Sequence, residues 1–383
     1  MSIPAPPPPP RRPGSKFDRF WQRVTEGMEM RQLWSQFRSD TRASYRFYSK
    51  EIDSTQIAGL SRGRRFLYIT EQFFWAILGM LTPARRIILL FALILLMLGG
   101  GYYHSNDDSR HETAIYFNGS FFGGVLMFAL LMLEVGDRVV MKRDLQIAKE
   151  IQQWLLPANP PIVSGMEVAF TTRPANTVAG DFYDVFPRDG SNSHWLIACA
   201  DVAGKSMPAA LLMASFQASL KTLSITNVAL TDLASAMNHY ACSNSQEGRR
   251  FTTAFLAEYE PATRILTYIN AGHNNPILRR ASGELERFDV GGVPLGIIDG
   301  FVYPSATVTL APGDWVVIFT DGVIEAENAR AEEYGEARLI QRVNLGAPGT
   351  PAQMMQQIMA DLDLYVGTTP QHDDITCLLL KAV

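Results

Sequence analysis

Two stretches of the chain contain no charged side chain. Ile87–Tyr103 runs for 17 residues and Ala114–Leu133 for 20, and the ten residues His104–Thr113 between them are polar. A membrane-spanning helix needs about 20 apolar residues, with a tolerated range of roughly 17–25. The pattern predicts a two-helix transmembrane hairpin over residues 85–134. A buried helical hairpin in a soluble core is the alternative.

Basic residues flank this hairpin at both ends. Arg85 and Arg86 precede the first helix, and the turn holds only Arg110. Lys and Arg collect on the cytoplasmic side of a membrane. The sequence therefore predicts that both chain ends lie in the cytoplasm. The second stretch also carries Gly119 and Gly123, whose spacing suits close helix packing but also occurs in ordinary spans. The basic residues after the second helix are Arg138, Lys142 and Arg143.

The region before the hairpin has a weaker pattern. Residues 1–14 are rich in proline and predict a disordered tail, with a ligand for a proline-recognition domain as the alternative. Residues 15–84 scatter aromatic side chains among charges, which predicts a cytoplasmic helical region of no assignable activity. Within it, Phe66–Leu81 is apolar but contains Glu71 and Gln72. An interfacial helix, a re-entrant segment and a membrane-facing partner surface remain open for this stretch.

A charged segment, residues 135–156, follows the hairpin without Gly or Pro after Gly136. It predicts one continuous connector helix that docks on the domain after it. Apolar residues recur every seven positions, but Asp137 and Asp144 interrupt the companion positions, so the coiled-coil signal is weak. A homodimer through this helix remains open. The recurring residues are Leu133, Val140, Ile147 and Trp154.

From residue 157 to 383, short β-rich runs alternate with Gly, Asn and Asp turns. Strands and helices are clustered rather than strictly alternating, which favours a layered α+β domain over a doubly wound sheet. The predicted strands are Glu167–Thr171, His194–Ala200, Thr253–Tyr259, Ile265–Asn270, Trp315–Thr320 and Ile375–Leu380. The predicted helices are Pro208–Leu223, Leu230–Asn244 and Ala352–Tyr365.

Composition and charge narrow the class of function. The chain is 47% apolar and 19% charged, enough for a sizeable core. Residues 1–86 carry 15 Lys/Arg and 7 Asp/Glu, whereas residues 134–383 carry 18 and 28. An acidic C-terminal part argues against nucleic-acid binding. The three cysteines form no CxxC pair, so neither a disulfide framework nor a zinc site is indicated. They are Cys199, Cys242 and Cys377.

Aspartates stand beside turns at the ends of four β-rich runs: Asp181, Asp201, Asp321 and Asp373, the last followed by Asp374. Carboxylates that converge without a counter-charge repel each other, and their pKa values rise. Two divalent cations relieve this repulsion, and oxygen ligands without His or Cys suit Mg²⁺ or Mn²⁺. Two such ions roughly 3.5–4 Å apart can activate a water for attack on a phosphate. A single Asp at a strand end is usually a turn or cap residue, but four in this context predict a binuclear site.

The motifs that contain these residues resemble the PPM-type protein phosphatases of the bacterial SpoIIE/RsbU-like branch. The resemblance implies an αββα four-layer sandwich, two Mn²⁺ or Mg²⁺ ions, and hydrolysis of phosphoserine or phosphothreonine on a protein. It also implies a bacterial cytoplasmic (inner) membrane location for the anchored enzyme. The motifs occur in order over about 235 residues: AKEIQQWLLP from Ala148, PANTVAGDFYD from Pro174, DVAGKSMPAALLM from Asp201, NAGHNNP from Asn270, PLG from Pro294, PGD from Pro312, TDGVIE from Thr320 and DDIT from Asp373.

The resemblance also implies a role for each matching residue. Asp201 would bridge both ions, and the main-chain carbonyl of Val202 would be a further ligand. Asp321 and Asp373 would complete the site of the first ion, and Asp181 would serve the second. The family pattern places the ligand first in the Asp-Asp pair, so Asp374 would support it from behind. Two departures are small residues in place of glycine, Ala179 and Ser206, and neither removes a ligand.

Three further residues have weaker claims to a role. His273 is a candidate proton donor to the leaving oxygen, with a structural turn between strands as the alternative. Lys205 is a candidate for offsetting phosphate charge, or a solvated loop lysine. Asp184 is a candidate for orienting Asp181, as groups behind metal ligands often do.

Two other functions compete with an active phosphatase. A catalytically inactive phosphatase fold could serve as a binding or regulatory module, although such a copy would tolerate loss of some of the acids. A nucleotide cyclase is suggested superficially by Gly-Asp-Phe-Tyr at Gly180, but it leaves the Thr-Asp-Gly and Asp-Asp-Ile-Thr motifs unexplained. Family analogy suggests a phosphoprotein partner of the anti-anti-sigma type.

Overall fold

The computed structural model describes residues 81–104, 114–188, 192–204, 207–226, 228–244 and 250–383, with isolated positions between 63 and 79. The predictions for the tail, for most of the region 15–84, for the hairpin turn, and for Lys205 and Ser206 lie outside these residues. The chain divides into two compact units, Met1–Gly136 and Asp137–Val383, and each is described by itself.

From residue 81 onward, the described part of the first unit has two helices separated by a β-ribbon, and the second helix continues into the second unit. Helix α1 spans Pro83–Leu98, strands β1 (Gly100–His104) and β2 (Ala114–Asn118) pair antiparallel, and helix α2 begins at Gly119 and ends at Leu155. The predicted helix bounds were therefore wrong on both sides of the turn. The first predicted helix extended to residue 103, and the second began at residue 114.

Local sequence explains both corrections. Gly99 follows α1 with a positive φ of 65° and opens a run of three glycines, which ends the helix. The next residues, Tyr102 and Tyr103, prefer extended backbone. At the other side, the side chain of Asn118 accepts a hydrogen bond from the main-chain N–H of Phe121 at 3.0 Å. This bond caps the start of α2 and delays it beyond residue 114.

Small residues bring α1 and α2 together within this unit. A β-carbon placed on Gly123 would lie 2.8 Å from the main-chain oxygen of Ala92, so only glycine fits here. Ala92 is fully buried, and Leu95 and Leu130 are nearly so. The spacing that included Gly123 therefore does mark a helix contact. At the ends of the two helices, Arg85 and Glu134 form an ion pair at 3.4 Å.

In the described part of the chain, one helix is long and apolar enough to cross a membrane, Gly119–Leu155. Helix α1 has 16 residues, so it measures roughly 24 Å. The hydrocarbon core of a bilayer is about 30 Å thick. Many large apolar side chains of both helices are exposed, among them Ile87, Phe91, Ile94, Phe121, Phe128 and Leu131.

The second unit is built on two sheets. Their strands are β3 (Met166–Arg173), β4 (Phe182–Pro187), β5 (Trp195–Val202), β6 (Thr252–Glu260), β7 (Ile265–Ala271), β8 (Ile277–Arg279), β9 (Leu285–Arg287), β10 (Gly291–Gly292), β11 (Ala306–Thr309), β12 (Trp315–Phe319) and β13 (Ile375–Ala382). The first sheet has the order β10-β7-β6-β5-β4, with β11 also pairing with β7. The second sheet has the order β3-β13-β12-β8-β9.

Helices cover the outer faces of these sheets. Helices α3 (Met207–Ser224) and α4 (Leu230–Ser243) pack on the first sheet through one apolar cluster. Helices α6 (Glu336–Gly346) and α7 (Pro351–Val366) pack on the second through another. A third cluster joins the inner faces of the two sheets. Together these four layers are the predicted αββα arrangement.

All six predicted strands and all three predicted helices of this domain are confirmed to within a few residues. The sequence pattern missed the short strands β8 to β11, helix α6 and the single turn α5 (Asp321–Ile324). It also missed strand β4, which begins immediately after Asp181. Its residues are buried on both faces, so they show no alternation of apolar and polar positions.

Candidate metal-binding active site

Asp181 lies at the entrance to β4 and is almost completely buried, with 1% of its surface exposed. The hydroxyl of Thr320 donates a hydrogen bond to its carboxylate at 2.9 Å. Thr320 follows β12, so this bond joins the two sheets. Burial raises the pKa of Asp181 well above its ordinary value, the nearby charge of Asp201 raises it further, and hydrogen bonds from Thr376 and Thr320 lower it.

Asp201 is the electrostatic centre of the site. It is the second-last residue of strand β5 and pairs with Thr253 on the neighbouring strand β6. Burial and the charges of the acids at positions 321, 373 and 374 raise its pKa to about 7, and a hydrogen bond with Asp181 partly offsets this. Carboxylates from both sheets therefore influence one another at the same end of the sandwich.

The two aspartates directly before β13 make different contacts. Asp374 accepts main-chain hydrogen bonds from Ala175 at 2.7 Å and from Gly180 at 2.6 Å, one on each carboxylate oxygen. Burial raises the pKa of Asp374, and these two N–H groups lower it. The carboxylate of Asp373 accepts the main-chain N–H of Asp374 at 2.9 Å. Asp374 thus fixes the segment that leads to Asp181.

Two glycines allow the main chain to approach the acids closely. A β-carbon on Gly180 would lie 3.1 Å from the carbonyl oxygen of Val202, and one on Gly322 would lie 2.0 Å from that of Asp374. The first contact brings the Asp181 segment against the strand end that carries Asp201. The second brings the helical turn that begins with Asp321 against the Asp373–Asp374 segment.

The donor set suits hard divalent cations. It consists of carboxylates with a main-chain carbonyl, the ligands that Mg²⁺ and Mn²⁺ prefer. In the described residues, no three Asp, Glu, His or Cys side chains are spaced to hold an ion as they stand. Asp181 and Asp201 instead share a hydrogen bond. Raised pKa values are the response expected of clustered carboxylates without a counter-charge, so the residues fit a cation site.

The weaker candidates lie in other environments. The carboxylate of Asp184 pairs with Lys221 at 2.6 Å, a partner that does not support a role in orienting Asp181. His273 is buried, its ring bonds Thr253 at 3.1 Å, and its main-chain N–H bonds the side chain of Asn270 at 2.7 Å. Burial lowers the pKa of His273 to about 4. A neutral histidine held in a turn fits the structural alternative better than the proton donor.

A cavity of about 380 Å³ opens beside the site. Asp373 and Gly322 border it on the side of the acids. Acidic groups predominate among its charged residues, and Arg173 pairs with Asp363. The remaining charged or titratable residues that line it are Glu325, Glu327, Glu333 and His372.

The sequence did not identify the buried side chains that hydrogen-bond to the acids or to the main chain beside them. Thr320 and Thr376 are fully buried, and the Thr320 hydroxyl accepts the N–H of Thr376 at 3.0 Å while it donates to Asp181. Gln152 on α2 is also buried and hydrogen-bonds the main chain of Ala179. The position of Thr320 directly before Asp321 was a visible signal, but the role of Gln152 depends on a contact across 27 residues.

The four layers with acids at one end define the class of PPM-type protein phosphatases. Residues 191–383, just over half of the chain, match the family described as "Stage II sporulation protein E (SpoIIE)". The chain belongs to this family and is an enzyme of the phosphatase class.

Curated relatives agree with this assignment. Phosphoserine phosphatase RsbU of Bacillus subtilis is 29% identical over 249 residues, which cover 64% of this chain and 72% of the relative. Phosphoserine phosphatase RsbP of the same organism is 24% identical over 188 residues, 48% of this chain and 46% of the relative. The chain thus matches less than half of RsbP.

Solved structures show the same fold. The SiaA-PP2C domain of Pseudomonas aeruginosa superposes with a TM-score of 0.56 at 21% identity, covering 64% of this chain and 99% of that one. The PP2C phosphatase domain of SpoIIE from Bacillus subtilis, with a fragment of its regulatory domain, gives 0.50 at 14% identity, with coverages of 58% and 64%. At these identities the likeness concerns the fold.

Proposed function

We propose that this chain is a membrane-anchored, metal-dependent phosphatase that hydrolyses phosphoserine or phosphothreonine on a regulatory protein. The observation that carries the proposal is the electrostatic grouping around Asp201. The negative charges of the acids at 321, 373 and 374 raise the pKa of its carboxylate, which is also hydrogen-bonded to Asp181. Two Mn²⁺ or Mg²⁺ ions, when bound, would lower the pKa of a water and neutralise the phosphate.

Each residue has a distinct task in this proposal. Asp201 would bridge the ions, with the carbonyl oxygen of Val202 beside it. Asp321 and Asp373 would complete the first ion's ligands, and Asp181 would serve the second. The hydrogen bonds from Thr320 and to Asp374 hold the Asp181 segment in place. The assignments to Asp321 and Asp373 rest on the family pattern and on their electrostatic effect on Asp201.

The substrate class is inferred from relatives. RsbU and RsbP are named phosphoserine phosphatases. We extend this to a phosphoprotein substrate here, with a regulator of the anti-anti-sigma type as the specific candidate. A phosphoprotein is compatible with the cavity beside Asp373, which is large enough for a neighbouring side chain.

Anchoring in the cytoplasmic membrane is supported by the exposed apolar surface of the first unit. Helix α2 is long enough to cross, and α1 packs against it through Gly123. Because α1 is shorter than the hydrocarbon thickness, we propose that the glycine-containing segment after it also lies in the bilayer and completes the first crossing. Membrane sedimentation and labelling of single cysteines placed at residues 108 and 142 would test the topology. Labelling of residue 108 from the outside and of residue 142 only after lysis is the expected result.

Association of two chains through the connector is a further part of the proposal. Val140, Ile147 and Trp154 are exposed on α2 at intervals of seven residues. Light scattering of the detergent-solubilised protein would measure the mass. A monomer at all concentrations would remove this part and leave the enzymatic proposal intact.

The decisive test is phosphate release by the full-length protein. Activity on a phosphoserine peptide should require Mn²⁺ or Mg²⁺, disappear with EDTA and be abolished by Asp201→Asn. Asp184→Asn is the matched control, because its carboxylate pairs with Lys221. Activity that survives EDTA would contradict the proposal. Tight binding of a phosphoprotein without phosphate release would favour the inactive regulatory module instead.

A further inference from the structure

The end of helix α2 is tied directly to the main chain that carries Asp181. The side-chain amide of Gln152 donates to the carbonyl oxygen of Ala179 at 2.7 Å. The carbonyl oxygen of the same side chain accepts the N–H of Ala179 at 2.9 Å. We infer that Gln152 is a positioning residue for the proposed ion-binding carboxylate of Asp181, an inference that rests on the proposed function.

The chemistry of this contact is specific to a glutamine side chain. One amide group satisfies both the donor and the acceptor of a single main-chain residue, two positions before Asp181. Gln152 is buried, with 7% of its surface exposed, so water cannot replace these bonds freely. Loss of the amide would leave the buried N–H and carbonyl oxygen of Ala179 without this partner, and an unpaired buried polar group is destabilising.

Gln152 works together with Asp374 on neighbouring peptide groups. The N–H of Gly180, the next residue along the chain, donates to Asp374 at 2.6 Å. Gly180 in turn packs against the carbonyl of Val202. Two side chains from distant parts of the sequence therefore fix consecutive residues of the segment, which leaves Asp181 little freedom to change its direction.

The helix that carries Gln152 is itself fastened at this point. The side-chain amide of Gln217 on α3 donates to the main-chain oxygen of Leu155. Leu156 packs on the apolar cluster beneath α3 and α4. The last turn of α2 is thus attached both to the Asp181 segment and to the helix that follows Asp201, so its position is set relative to both proposed ligands.

The neighbouring position provides a matched control. Gln153 is the same residue type, one step along the same helix, and is exposed. Methionine resembles glutamine in length and helix preference but cannot make either hydrogen bond. Comparing Gln152→Met with Gln153→Met separates the two hydrogen bonds from general effects on the helix.

The experiment is calorimetric titration of the full-length, detergent-solubilised protein with Mn²⁺, alongside phosphate release at saturating Mn²⁺. Groups that orient metal ligands typically contribute 10–100-fold to affinity or activity. Gln152→Met should therefore raise the Mn²⁺ Kd at least about tenfold, while Gln153→Met leaves it unchanged. Gln152→Asn, whose shorter amide cannot reach both partners, should weaken Mn²⁺ binding as well and serves if the methionine variant does not fold.

The outcomes distinguish this inference from the proposed function. A lowered Tm with an unchanged Mn²⁺ Kd would reduce Gln152 to a structural residue and overturn the positioning role alone. Equal weakening by Gln153→Met would also overturn it. A wild-type protein that neither binds Mn²⁺ nor releases phosphate would overturn the proposed function, and the positioning role with it.

Discussion

The hydroxyl of Thr320 donates a hydrogen bond to the buried carboxylate of Asp181 across 2.9 Å, and this bond joins two different sheets. The same hydroxyl accepts the main-chain N–H of Thr376 at 3.0 Å. A single oxygen therefore connects the loop after β12, the start of β13 and the entrance to β4. The position of the Asp181 carboxylate depends on the packing of one sheet on the other.

Replacing this hydroxyl should weaken both stability and ion binding. Thr320→Val keeps the volume but removes one hydrogen bond from the buried Asp181 carboxylate and takes away the acceptor of the Thr376 N–H, a loss of about 1–3 kcal/mol. Guanidinium unfolding would measure this loss, and calorimetry with Mn²⁺ should show weaker binding. Thr320→Ser is the control, since it keeps the hydroxyl. Equal behaviour of the two variants would show that the hydrogen bond is not needed.

The two acids of the Asp-Asp pair should respond differently to the same substitution. Asp373→Asn removes a proposed ligand and should abolish phosphate release with little effect on the Tm of the metal-free protein. Asp374→Asn keeps one acceptor oxygen but cannot accept from both Ala175 and Gly180, so it should lower the Tm and reduce activity partially. The reverse pattern would assign the ligand to Asp374. Thermal unfolding in EDTA and phosphate release with Mn²⁺ would measure both effects.

Much of the catalytic domain could be predicted because its strands and helices carry clear local patterns. The β5 run is apolar and ends at an aspartate, and the α3 and α4 segments begin beside proline or after a turn. These signals lie within a few residues of one another. The convergence of Asp181, Asp201, Asp321 and Asp373 depended on the ordered set of motifs, because spacing along the chain does not say which strand ends meet.

The predictions that failed are the bounds of the two apolar helices, because the absence of charge alone does not say where a helix begins or ends. The absence of charges suggested helix through Tyr103 and from Ala114, but glycines after Leu98 and the cap at Asn118 move both helix ends. Contacts such as that of Gln152 with Ala179 could not be predicted. They require two segments with no shared periodicity to pack together, and a polar residue in a charged helix shows no sign of burial.

The close approach at Gly322 should tolerate no side chain. A β-carbon there would lie 2.0 Å from the carbonyl oxygen of Asp374, which is main chain and cannot rotate away. Gly322→Ala should therefore destabilise the protein by about 3 kcal/mol and displace the Asp373–Asp374 segment, with loss of activity. Gly180→Ala meets its nearest atom at 3.1 Å and should cost less. Guanidinium unfolding of both variants would rank them, and an unaltered Gly322→Ala protein would contradict the predicted contact.

The stability of the metal-free protein should depend on pH through Asp201. Its pKa is raised to about 7 in the folded state by burial and by the neighbouring acids, compared with 3.8 ordinarily. Between about pH 4 and pH 7 the folded state therefore retains a proton that the unfolded state has released. The free energy of unfolding should fall as the pH rises through this window, by up to about 4 kcal/mol for this group.

Two changes should remove this decline, and each isolates a different part of the cause. Asp201→Asn has no charge to create, so the metal-free variant should be more stable than the wild type at pH 8 although it is inactive. Saturating Mn²⁺ should stabilise the wild type most at high pH, where the carboxylates are ionised, and should stabilise the variant much less. Thermal unfolding in EDTA and in Mn²⁺ across this pH range measures both.

The contradicting outcome is a metal-free wild type whose Tm changes between pH 5 and pH 8 in the same way as the Tm of Asp201→Asn. That result would show that the carboxylates do not repel one another. The case for a cation-binding site at the sheet ends would then lose its electrostatic basis, because nothing in the folded chain would require a counter-charge there.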